Sequence, residues 1–132
     1  MDKPLADSAG RLRRVHQRLH DILPRLEGAR NKIRPADCEE VIFELFRIEN
    51  AVFYDDLCKQ YAGRKDETAM LRALREGLNP LKVMVLAFLD DKRANGRPLA
   101  DELRLRIKLE EDYLIPMLKG VADRYLTSNK EL

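Results

Sequence analysis

Two carboxylates stand where apolar stripes should continue. Glu110 lies in the run Leu103, Ile107, Glu110, Leu114, Met117, Val121, which steps by fours and threes. That spacing puts every member on one helical face. Glu49 lies in the same way among Ile42, Leu45, Phe46, Val52 and Phe53. A carboxylate inside a core must be paired, protonated or bound to a metal. Arg106 falls one turn before Glu110, on the shoulder of its stripe, where an i,i+4 pair is easy. His16 sits at the edge of the apolar arc of the first helical segment, and His20 lies further out. The expected arrangement is a buried polar network of Glu49, Arg106 and Glu110 with His16 as neighbour. Such networks add little net stability but can fix which helix pairs with which.

The alternative chemistry is a metal site that uses His16, Glu49 and Glu110 to hold iron or another divalent ion. Two histidines are too few for an oxygen-binding di-iron centre, and the Glu-x-x-His pairs of ferritin-like sites are missing. No cofactor is expected on this count. There is also no Gly-rich phosphate loop, no HExxH, no GxSxG and no cysteine with a histidine partner. The chain is therefore expected not to be an enzyme.

Four helical segments must position these groups. The first runs from about 6 to 29, with Leu12, Val15, Leu19, Ile22, Leu23 and Leu26 as its apolar positions and Pro24 as a bend. The second, about 37 to 61, opens on Asp37 with Glu40 as a capping box. The third, about 67 to 94, follows Asp66 as an N-cap and carries Leu71, Leu74, Leu78, Leu81, Val85 and Phe88. Gly77 and Pro80 predict a kink or a break in it. Ala94-Asn95-Gly96 reads as a helix stop, and Pro98 opens the fourth segment, about 99 to 126, with a second bend at Pro116. Four amphipathic helices with short links predict an all-α, antiparallel up-down-up-down four-helix bundle, one domain over residues 1–132.

The 132 residues carry a net charge of +2, too little to point to nucleic acid. The charge is unevenly placed. Residues 11–34 hold eight basic groups against Asp21 and Glu27, and residues 37–56 hold seven acids against Arg47. Either the two helices complement each other, or the acidic exterior of the second, Glu39, Glu40, Glu44 and Asp55, docks a partner. The longest apolar run, Val83 to Leu89, is far short of the ~20 residues that a membrane helix needs. The N-terminal MDKPLADSAG has no apolar signal region, so the cytoplasm is the expected compartment. Cys38 and Cys58 are expected on one helix about 30 Å apart, too far to bridge. Met70, Met84 and Met117 read as core fillers.

Two resemblances attach to these residues. The segment RRVHQRLHDILPRLEGA resembles the first helix of hemerythrin-like cation-binding domains, with His16 at the ligand position. LRLRIKLEEDYLIPML resembles their last helix, with Arg106 where the histidine belongs, Glu110 as the acid and Pro116 as the terminal proline. In that register Glu49 takes the second helix's histidine position and Phe53 its acid position, while Gly77 and Leu81 take the third helix's histidine pair. The resemblance implies the bundle and a metal centre stripped of most ligands. The last helix is also similar to the Rsd/AlgQ family of anti-sigma regulators, through Leu103, Arg106, Ile107, Leu109, Glu110 and Glu111. IFELFRIENAVFYDDL is similar to that family's second conserved stretch, chiefly at Glu44, Tyr54 and Asp55. This second resemblance accounts for the arginine. It implies a non-enzymatic regulator that binds another protein, a sigma factor being the implied partner, by occluding a surface with a charged helix face. The alternative is a hemerythrin-like metal-binding or redox-sensing domain with a reduced site.

Overall fold

The computed structural model describes the backbone of residues 3–27, 35–53, 56–91 and 95–121, and the side chains of 7–27, 38–50, 57–91 and 95–121. Within these residues the chain is helical and contains no strand. Helix α1 is Lys3–Glu27, α2 Pro35–Phe53, α3 Asp56–Gln60, α4 Lys65–Glu76, α5 Leu78–Asp90 and α6 Arg97–Leu109. A π-helical turn, Glu110–Leu114, follows α6 directly, and residues 115–121 (α7) return to α-helix. Helix α1 packs on α2 and α6, and α5 packs on α4 and α6.

Several element boundaries differ from the sequence expectation. Helix α2 begins at Pro35 rather than Asp37; proline suits a first helical turn because that turn's N–H groups lack helical partners anyway. The capping box expected there lies outside the described side chains. Helix α4 is entered from Arg64 rather than Asp66. Thr68 tightens this entry, its hydroxyl donating to the carbonyls of Tyr61 and Arg64. Asp66 and Glu67 then fall in the first turn, where the helix dipole favours acids. Cys38 is buried and Cys58 half-buried; whether one helix carries both turns on residues 54–55, which lie outside the described residues.

The expected interruption at Gly77 is one residue long: α4 ends at Glu76 and α5 starts at Leu78, while Gly77 keeps helical φ and ψ (−70°, −14°) and its N–H still bonds the Ala73 carbonyl. Gly96 does more than end a helix. It leads into α6 against the C-terminal end of α1, and a methyl there would overlap the Leu26 carbonyl and stand 3.2 Å from the Phe88 ring. The close crossing demands glycine for space, since its φ of −80° is open to any residue. Nearby, Arg104 of α6 bonds Glu27 at the end of α1, and this holds the Glu27 carboxyl below its ordinary range.

The core is built from the expected stripes: Leu12, Leu19 and Leu23 of α1, Ile42, Leu45 and Ile48 of α2, Leu71, Leu78 and Val85 of α4 and α5, and Leu103, Ile107 and Leu114 after them. Met117 is buried, and Met70 and Met84 pack on the core's edge. Tyr61 is buried and its hydroxyl donates to the Met117 carbonyl at 2.7 Å, which ties the turn after α3 to α7. No helix among the described residues is long and apolar enough to cross a membrane.

Candidate functional site

Four segments of the core each deliver one polar side chain to a common point. His16 comes from α1, Glu49 from α2, Arg106 from α6 and Glu110 from the π turn, and none is more than 5% exposed. His16 and Arg106 are deeper than the edge and shoulder positions that a helical wheel gives them. The guanidinium is the hub. Its Nε donates to Glu49 Oε2 at 2.7 Å and to Glu110 Oε2 at 3.1 Å. Nη2 lies 2.5 Å from the same Glu49 oxygen. Nη1 donates to the Leu74 carbonyl at 2.5 Å.

That last contact follows from the break at Gly77. A helix leaves its last four carbonyls without helical donors, and Leu74 is in the last turn of α4. The sequence signal for the break, Gly77 and Pro80, is thus also the origin of an acceptor for Arg106. Gly77 leaves room for the guanidinium, since a methyl there would stand 3.4 Å from Nη1. Arg106 also lines a half-open apolar pocket of about 230 Å³ with Leu74, Gly77, Leu81, Leu105 and Leu109.

His16 extends the network toward solvent. Its Nε2 is 2.6 Å from Glu110 Oε1, and its Nδ1 is 2.7 Å from Glu111 Oε1. Glu111 is 40% exposed. Both contacts are hydrogen bonds at once only if the ring is imidazolium or one of the carboxyls carries a proton. The π turn makes this double contact possible. The Ile115 N–H reaches back five residues to the Glu110 carbonyl. The wider turn narrows the ~100° that separates successive side chains on an α-helix, so Glu110 and Glu111 both address one imidazole. Pro116, one residue on, has no N–H, and its ring disfavours the ordinary i−4 arrangement with Asp112. Glu111 was not singled out as a buried-network residue by its place in the stripe, but the Glu-Glu-Asp run before Ile-Pro was its signal.

The two buried acids share the burden of one cation. Glu49 Oε1 accepts no hydrogen bond among the described residues. Burial first, then the neighbouring charge of Glu110, hold the Glu49 carboxyl well above its ordinary range. Glu110 is also raised by burial, but the neighbouring Glu49 and Arg106 pull against that. Glu49 therefore holds a proton more tightly than an ordinary carboxyl does.

No group of three or more histidine, cysteine, aspartate or glutamate side chains among the described residues is arranged to hold a metal ion. The candidate ligands His16, Glu49 and Glu110 do converge, with Arg106 bonded to one oxygen of each carboxylate and His16 in contact with Glu110. As arranged, Arg106 holds the cation position beside both carboxylates.

The acidic exterior of α2 is partly matched by α1. Arg18 reaches Glu40 at 3.3 Å and Arg11 reaches Glu44 at 3.9 Å, while Arg47 also pairs with Glu44. Glu39 is exposed and is given no such partner among the described residues. Asp55 lies outside the described residues. Compared with family models, with curated proteins and with solved structures, the chain matches none.

Proposed function

We propose that this chain is a non-enzymatic regulator, an antiparallel four-helix bundle that binds another protein through its exterior. The observation that carries this reading is the closure of the buried polar centre. Its side chains, the groups best able to do chemistry, are engaged with one another around Arg106. What remains for function is the surface. The resemblance of the Arg106–Glu111 stretch to anti-sigma regulators makes a sigma factor the partner of choice. The α2 exterior, Glu39, Glu40, Glu44 and Asp55, is the proposed charged face, although α1 already compensates Glu40 and Glu44.

The test is binding of purified sigma factors from the same genome to the full chain at two ionic strengths. Wild type is compared with the charge reversal Glu39→Lys, Glu40→Lys, Glu44→Lys. The expected result is a sigma factor whose association is slowed by the reversal and by salt, since exposed charge acts mostly on encounter. Equal binding to both forms removes the face, and no binding by any sigma factor removes the partner.

A second reading is favoured by one observation, the convergence of His16, Glu49 and Glu110 at a buried point. It is a reduced hemerythrin-like centre for iron or another divalent ion. It requires Arg106 to leave the carboxylates.

A further inference from the structure

We infer that the outward face of α5 and its groove against α2 dock an amphipathic helix of a partner protein whose flank is basic. This rests on the regulator reading and names the chemistry of its partner.

Helix α5, LNPLKVMVLAFLD, is apolar on two sides. Leu78, Leu81, Val85 and Phe88 fill the core. Val83 and Leu86, one turn apart on the opposite side, are 67% and 58% exposed. The outer face of α1, by contrast, presents Arg11, Arg14 and Arg18. A helix that is apolar all round is normally covered all round, and large exposed apolar groups with a polar rim mark interaction sites. The run Val83–Leu89, too short for a membrane, is the sequence trace of this second face.

The rim chooses the occupant. A shallow groove of about 460 Å³ lies beside Leu86, lined also by Glu39, Ala87, Leu89 and Asp90. Its two ionisable groups are acids. Both are exposed, and neither makes an ion pair among the described residues. Lys82, also on α5, sits over the Phe46 ring at 5.5 Å. A helix with apolar residues at i, i+3 or i+4, and i+7 would cover Val83 and Leu86, with Lys or Arg on its flank meeting Glu39 and Asp90. A second copy of this chain would bring the same acids against themselves.

The probes are two labelled peptides of about 18 residues, five helical turns, with identical leucine positions. One carries Lys on its flank and the other Glu. Fluorescence anisotropy against the full chain should show the Lys peptide binding at least ~10-fold tighter. The double variant Val83→Asp, Leu86→Asp should lose it, and Glu39→Lys, Asp90→Lys should reverse the preference. Circular dichroism checks that each variant folds, and Leu86→Ser serves if the double variant does not. The inference is overturned if the peptides bind equally, if neither binds, or if the α5 variants bind the Lys peptide as wild type does. It is also overturned if sedimentation finds a dimer that Leu86→Ser dissociates, because the face then belongs to a second copy. A sigma factor that binds the Leu86 variant normally but not the Glu39, Glu40, Glu44 reversal would sink the groove and leave the regulator reading standing. A Lys peptide that binds in the groove while no sigma factor binds would do the opposite to the choice of partner.

Discussion

Arg106 holds two buried acids, and removing it strands them. Arg106→Ala is expected to cost ~3–5 kcal/mol, whereas replacing the set with Glu49→Leu, Arg106→Met and Glu110→Leu should be far milder or even stabilising. Urea melts of both variants decide this. A cost below ~0.5 kcal/mol for Arg106→Ala would mean the arginine behaves as a surface group. Glu49 gives a pH signature. Its carboxyl is raised, first by burial and then by Glu110, so the fold holds the proton more tightly than the unfolded chain does. The stability it contributes is full below the ordinary value of 4.5 and is lost as pH rises through the raised value. Glu49→Gln mimics the protonated acid, with an N–H for Glu110 and an oxygen for Arg106. Its stability relative to wild type should therefore grow between pH 5 and pH 8 by melting, and a constant difference would place the proton elsewhere. The meeting of Glu49, Arg106 and Glu110 is legible from spacing because each interrupts an apolar period. The Leu74 carbonyl is not legible, because it is a backbone atom exposed by a break in another helix.

At the scale of elements, breaks and crossings place the network. Gly96 brings the start of α6 against the end of α1, where a side chain has no room. Gly96→Ala should destabilise by at least ~1–3 kcal/mol, the usual range for overpacking, whereas Gly10→Ala, with nothing within 4 Å of the added carbon, should be neutral or stabilising. Thermal melts of the pair test the crossing; equal effects would mean that α1 and α6 do not meet there. The glycine is visible in sequence as punctuation, but its reason is tertiary. The π turn is less legible still. Pro116 marks a disturbance, yet only packing against His16 shows that the turn widens at Glu110–Leu114 rather than bending. The two-sided α5 is hidden for a related reason: the core stripe Leu78, Leu81, Val85 and Phe88 satisfies the helical period by itself, so Val83 and Leu86 read as part of one apolar run.

At the scale of the whole molecule, the described residues are helical and enclose a buried polar centre. That all-helical character was legible from four apolar stripes and their stops, since helical periodicity is a strong local signal. Partner choice was not, because an exposed acid such as Glu40 reads the same in sequence whether it meets Arg18 of its own chain or another protein. The account turns on Arg106, rather than a metal, neutralising the buried acids. The most direct measurement is the metal content and melting temperature of protein purified without chelator, before and after EDTA. The expected result is far less than one ion per chain and an unchanged melting temperature. A stoichiometric ion with a fall of several degrees on chelation, the behaviour of metal-coupled folding, would contradict it.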